Sequence, residues 1–266
     1  MAYAEVERFL SGGHFLPGRI LAAPSWVFPG SLRENCRFLA DRVDEAGLLF
    51  FESIPSLAYG PEELPQELAE LPLRYHVHLP VDLPMERPKD AAAFCLRLLS
   101  KIAFLHPVCG VLHPPAAGAA GGGRRARRLL ADFLDVFAAS GGSPALLLLE
   151  NTKENDLICL EDLIEDYGLR ICLDMGHALA YGQKLLMRHE RLLQRAGMIH
   201  VSAPGRGADA GQHLPLSALA PEEVPVARRM LRGAPPEAVI MLEMFHWPYI
   251  ESSLPLLAQW LGEDSP

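Results

Sequence analysis

The side chains of this chain best suited to holding a divalent metal ion recur at one kind of place, the end of a short apolar run. His78 stands at the end of LRYHVHL (73–79), His113 of VCGVLH (108–113), Glu150 of ALLLLE (145–150) and Asp174 of LRICLD (169–174). Glu52 closes GLLFFE (47–52), His200 lies within MIHVS (198–202) and Glu243 within AVIMLEM (238–244). No Lys or Arg occupies any of these positions, although the chain contains 24 of them. Carboxylates and imidazoles gathered in one dry volume repel one another or compete for protons unless cations neutralise them. Mixed His, Asp and Glu donors without thiolate suit Zn²⁺ or Mn²⁺. His177 follows Asp174 by three residues, and His213, in GQHLPL, follows the seventh apolar run. His76 shares a strand face with His78 one layer deeper and reads as structural. His14, His106, His189 and His246 lie on stretches that suggest packing or solvation.

The elements that must position these residues are an eightfold series of strands and helices. RILAA (19–23) and the seven runs above are nearly continuous in apolar residues, which suits strands buried on both faces of a parallel sheet. Amphipathic stretches at 31–46, 88–105 and 124–140 predict helices between them. Eight such units over 266 residues predict a closed (β/α)8 barrel, a TIM barrel, as a single domain over residues 1–266. The first strand is not followed by GxGxxG, which argues against a dinucleotide-binding sheet. PPAAGAAGGG (114–123) and GADAG (207–211) read as loops at the C-terminal mouth of the barrel, where barrel enzymes carry their chemistry.

Composition narrows the function classes. Half of the residues are hydrophobic and the formal net charge is −9, so a large core forms and binding to a nucleic-acid backbone is disfavoured. GGGRRARR (121–128), the one basic cluster, reads as a solvated helix start. The five cysteines show no CxxC spacing, which suits reduced thiols. No signal peptide or apolar run of membrane-spanning length is evident, so the expectation is a cytoplasmic protein without a membrane partner.

Glu150, Asp174, His200 and Glu243 alone would hold one metal, and that set resembles the xylose-isomerase-like sugar isomerases and epimerases. With His78, His113, His177 and His213 added, the constellation resembles the family-2 apurinic endonucleases, whose barrel mouth carries up to three zinc ions. By that resemblance His78 and His113 join Glu150 on one ion. Glu150 bridges to a second ion held by Asp174, His200 and Glu243, and His177 and His213 supply a third. Gln212 stands where that family places an Asp before its last histidine, with Asp209 nearby.

In order, SWVFPGSLRENCRFLADRVDEAGLLFFES, YHVHLPVDLP, VLHPP, LLLLEN, ICLDMGHALAYG and MLEMF resemble the cobamide-remodelling phosphodiesterases, over most of residues 19–260. The resemblance implies hydrolysis of the nucleotide-loop phosphodiester of cobamides, giving cobinamide phosphate and an α-ribazole-type nucleoside. Two or three zinc ions would be bound (or manganese), with Glu150, Glu243 and His177 as the catalytic residues and a small corrinoid as substrate. The candidate substrate contacts are Glu52, Trp26 and Phe28 near the mouth, with Lys153 and Arg206 as candidate phosphate cations. A sugar epimerase, an apurinic endonuclease and a non-catalytic corrinoid binder are the competing classes.

Overall fold

The computed structural model describes residue 16 and residues 18–118, 122–183 and 189–262. His14 and residues 119–121 of the glycine-rich stretch lie outside them. Eight parallel strands close into a barrel: β1 (Leu21–Pro24), β2 (Glu45–Leu49), β3 (Arg74–His78), β4 (Gly110–Leu112), β5 (Leu147–Glu150), β6 (Arg170–Asp174), β7 (Ala196–His200) and β10 (Val239–Met241), which pairs back onto β1. A short antiparallel ribbon, β8 (Ala203–Pro204) with β9 (His213–Leu214), stands beyond β7. Helices such as α1 (Leu32–Leu39), α2 (Ser53–Ala58), α3 (Pro88–Lys101), α4 (Gly122–Ala139), α5 (Glu161–Asp166) and α6 (Met175–Ala180) follow the strands in turn. The barrel expected from the alternating pattern is the fold observed. Among the described residues no helix is long and apolar enough to cross a membrane.

Two boundaries depart from the sequence reading for identifiable reasons. The helix expected over 31–46 begins as anticipated, with Ser31 and Glu34 forming a capping box, but α1 ends at Leu39. Glu45 and Ala46 instead open β2, because Glu45 is paired inside the barrel, where a helical reading takes it for a solvated face. β2 then ends at Leu49, so Glu52 is not a strand-end residue. It is exposed at the N-terminus of α2.

The barrel has two cores. Between sheet and helices lies the larger one, which includes Leu21, Leu48, Val77, Phe133 and Leu149. Inside the barrel, Ala22, Val111, Leu148, Cys172, Met198 and Met241 pack into a separate middle layer. Every second residue of a strand faces the same side. Two residues beyond this middle layer come His113, Glu150, Asp174, His200 and Glu243, so strand geometry alone delivers the candidate ligands to the mouth. His76 occupies the middle layer below His78. Space for it exists because residue 47 is glycine: a Cβ there would lie 2.5 Å from His76 Nε2.

Beneath this layer sits a charged group that the sequence reading passed over. Glu45 is fully buried, with Oε1 2.7 Å from His76 Nδ1 and Oε2 3.3 Å from Arg74 Nε. Removing one partner of such a group strands the other in a low-dielectric interior. Glu45→Ala is therefore expected to destabilise the fold by about 3 kcal/mol in urea denaturation. Metal content should be unchanged, since the mouth lies two layers away. An equal loss of metal in this variant would contradict that separation.

Candidate metal centre

Glu150 is the hub of the mouth. Its Oε2 lies 3.1 Å from His78 Nε2 and 3.3 Å from His113 Nε2. Its other oxygen, Oε1, lies 3.5 Å from His177 Nδ1 and 3.7 Å from His200 Nδ1. One carboxylate thus faces two different histidine sets, one through each oxygen. His200 Nδ1 is also 3.1 Å from Glu243 Oε2, and His213 Nδ1 is 3.4 Å from that same oxygen. Donor atoms of His78, His113 and Glu150 lie within 4.8 Å of one another, as do those of Glu150, Asp174, His200 and Glu243. With ligand bonds of about 2.0–2.3 Å, donors on opposite sides of one ion stand roughly 4 Å apart, so both groups match the span of a bound cation.

Hydrogen bonding to the surrounding backbone orients the ligands. His78 Nδ1 donates to the Leu79 carbonyl at 2.9 Å, which leaves Nε2 to face Glu150. Asn151 ties β5 to β6: its Oδ1 accepts from the Asp174 N–H at 2.7 Å and its Nδ2 donates to the Asp174 carbonyl at 2.9 Å. The Asn151 carbonyl accepts from His177 Nδ1 at 2.9 Å, so His177 presents Nε2 as its free atom. Gln183 accepts from Asn151 Nδ2 at 2.9 Å and completes this frame. Asp174 also caps α6, with Oδ1 accepting the His177 N–H at 2.6 Å. Its Oδ2 and both ring nitrogens of His200 are buried without a well-directed hydrogen bond, although Oδ2 lies 3.2 Å from His177 Nδ1 and His200 Nδ1 lies 3.1 Å from Glu243 Oε2. Buried polar atoms normally find partners. Orphans clustered among carboxylates and imidazoles fit a bound cation.

These crowded groups also shift one another's protonation. Burial opposes charge on Glu150, but His200 and His113 hold it well below the ordinary carboxylate range. Burial likewise opposes charge on Glu243, which His200 and His213 bring down to about 2. Asp174 moves the other way: burial, with Glu243 and Glu150 close by, pushes it up to about 6 despite His177. Burial would lower His113, yet Glu150 raises it, and Asp174 and Glu150 do the same for His177. His200 rises well above its ordinary value against its own burial, through Cys172, Glu243 and Glu150. Without a cation the cluster keeps its charges in balance by retaining protons.

A divalent ion must displace those protons. Metal uptake is therefore expected to release protons and to weaken as pH falls from about 8 to about 6. Calorimetric titrations in buffers of different ionisation enthalpy would measure it, and a pH-independent uptake without proton release would contradict it.

The remaining candidates are distributed unevenly. His177 and His213 face each other across a pocket of about 230 Å³, their ring centroids 6.4 Å apart. Neither joins a ligand group among the described residues, and Gln212 and Asp209 are exposed and bonded to each other at 3.2 Å. His213 Nδ1 instead meets Ser202 Oγ at 3.3 Å. Of the expected substrate contacts, Phe28 packs edge-on against Phe38 at 5.3 Å, a core role, while Trp26 is 52 % exposed. Arg206 lines the 230 Å³ pocket, but its guanidinium is held by Glu223. Lys153 is exposed on the loop after β5. Arg125 and Arg127 of the basic cluster pair with Glu86 and Asp162, as a solvated helix start should. His189 pairs with Glu161, and His246 packs on Tyr249.

Sequence reasoning did not single out Asn151, Gln183 or Ser202. Asn151 directly follows the candidate ligand Glu150, which was the available signal. Gln183 and Ser202 gave none.

No protein-family model and no curated protein matches this sequence. Solved structures do. Endonuclease IV from Thermus thermophilus superposes with a TM-score of 0.61 at 21 % identity, over 92 % of this chain and 99 % of that one. The family 2 AP endonuclease from Brucella melitensis gives 0.60 at 15 % identity, over 91 % and 98 %. D-psicose 3-epimerase from Clostridium cellulolyticum gives 0.56 at 15 %, over 92 % and 98 %. The chain has the xylose-isomerase-like barrel fold. In this fold the C-terminal ends of the strands carry the chemistry, and that end holds the Glu150 cluster. At these identities the likeness concerns fold alone, so function rests on the site.

Proposed function

We propose that this barrel is a metal-dependent phosphodiesterase that hydrolyses the nucleotide-loop phosphodiester of cobamides, giving cobinamide phosphate and an α-ribazole-type nucleoside. The observation that carries the reading is the two-sided placement of Glu150, with His78 and His113 on one oxygen and His177 and His200 towards the other. A sugar epimerase with one ion has no use for the first histidine pair. A bridged pair of ions does.

His78, His113 and Glu150 would hold one ion, and Glu150, Asp174, His200 and Glu243 the other, as zinc or manganese. When bound, such a pair neutralises the non-bridging phosphate oxygens, activates water and eases departure of the ribose oxygen. The protein's own share is positioning. Asn151 and Gln183 fix Asp174 and His177, and His177, its Nδ1 donating to the Asn151 carbonyl, turns Nε2 to the wall of the pocket, where it would contact the phosphate. The formal charge of −9 favours a small substrate over a duplex backbone.

The test is a panel of substrates given to the metal-loaded protein. Cobamides should yield cobinamide phosphate and nucleoside, while abasic duplex DNA and ketohexoses should be unchanged. Epimerised sugar, or nicked DNA with a steep salt dependence, would replace this reading with the corresponding alternative. His113→Ala should lose about one ion per chain by mass spectrometry and most of the cobamide turnover. An epimerase would tolerate that substitution.

A further inference from the structure

The mouth opens into a separate pocket on each side. On the His177–His213 side, the pocket is lined by Tyr181, Ser202 and Gln212 together with Ala180, Pro204 and several glycines. On the His78–His113 side two apolar side chains stand at the surface. Phe51 is 44 % exposed and Val81 50 %, and their backbones are joined by the Val81 N–H donating to the Phe51 carbonyl at 3.1 Å. The Phe51 ring lies 6.0 Å from His78 and 6.0 Å from Phe245, which meets it edge-on. Phe245 in turn lies 5.0 Å from His213. A cleft of about 410 Å³ runs outward from His113, with Val81, Pro84 and Pro114 on its apolar side and Arg125 and Thr152 among its polar groups. A half-exposed aromatic ring offers a face on which an aromatic base can stack.

Resting on the phosphodiesterase reading above, we infer that Phe51 is the stacking platform for the aromatic base of the leaving nucleoside. The base lies over Phe51 and enters the Val81–Pro114 cleft, and the phosphate sits at Glu150. The other ester arm leaves over the His177–His213 side. The cleft has room for a bicyclic base, which places the nucleoside end on this side. Phe51 in this role determines specificity and does no chemistry.

Calorimetric titration of the metal-loaded protein with α-ribazole tests the assignment. Wild type should bind, Phe51→Ala should bind roughly ten-fold more weakly, within the range that base–aromatic stacking supplies, and Phe51→Tyr should restore affinity. In turnover of a cobamide, Phe51→Ala should raise KM with kcat and metal content held. Equal α-ribazole affinity in wild type and Phe51→Ala, or no binding by either, would overturn the platform. Cobamide hydrolysis with unaltered KM in Phe51→Ala defeats the platform alone. Phe51-dependent α-ribazole binding without cobamide hydrolysis defeats the phosphodiesterase reading alone.

Discussion

Replacing Glu150 with Gln is expected to lower turnover by about 10³-fold or more and to remove at least one ion. The carboxylate works through two oxygens, one facing the His78–His113 pair and the other facing His177 and His200. An amide keeps one oxygen and turns an NH₂ group towards the other side. Whichever way it lies, one set of imidazoles meets a donor where a shared anionic ligand stood. The side chain is buried and cannot relax towards solvent. Metal ions in such sites stabilise the transition state by several kcal/mol, and each ~1.4 kcal/mol is ten-fold in rate, hence the magnitude. Metal stoichiometry and cobamide turnover measured on one preparation check it. Full metal content in Glu150→Gln would show that Glu150 does not bridge.

Stripping the metal should lower the melting temperature by about 10 °C. A ligand present at about a thousand times its dissociation constant stabilises by about 4 kcal/mol, and each kcal/mol moves a domain of roughly this size by about 2–4 °C. The effect should depend on pH, with a sign fixed by the cluster. His113, His177 and His200 are raised above 6.5, and Asp174 is raised from 3.8 to about 6. Groups raised in the native state contribute stability that is present at low pH and lost as pH climbs through their native values. Glu150 and Glu243 are lowered, so their contribution is already complete above the ordinary carboxylate range and is lost only in acid. The metal-free protein should therefore soften between about pH 6 and pH 8. The loaded protein gains over the same interval, because fewer protons compete for the ligands. Thermal scans with and without chelator should thus show a gap that widens from about pH 6 to pH 8. Coincident scans would contradict a structural role for the ions.

Much of the site was legible in the sequence because parallel strands impose a period of two and a common end. His78, Glu150, Asp174 and His200 fall on the last residues of their strands, where a near-continuous apolar run gives way to one polar side chain. Closure of the barrel then does the rest. What stayed hidden depended on contacts between segments distant in sequence. Glu45 resembles one more charge on a helix until its partner His76 is placed opposite it. Phe28 looked free to stack a ligand and proves to be packed by Phe38, whereas Phe51 looked like core and is exposed at the mouth. Arg206 was a plausible phosphate cation until Glu223 met it. Single-strand periodicity reports which face a residue takes, and says nothing of what meets it there.

Hydrolysis of a cobamide by the metal-loaded protein in ¹⁸O-labelled water tests the central claim most directly. Cleavage of the phosphorus–ribose oxygen bond predicts cobinamide phosphate carrying one ¹⁸O on phosphorus, together with unlabelled α-ribazole, by mass spectrometry. Label in the nucleoside, or no cleavage of any cobamide tried with both metal sites filled, would contradict it.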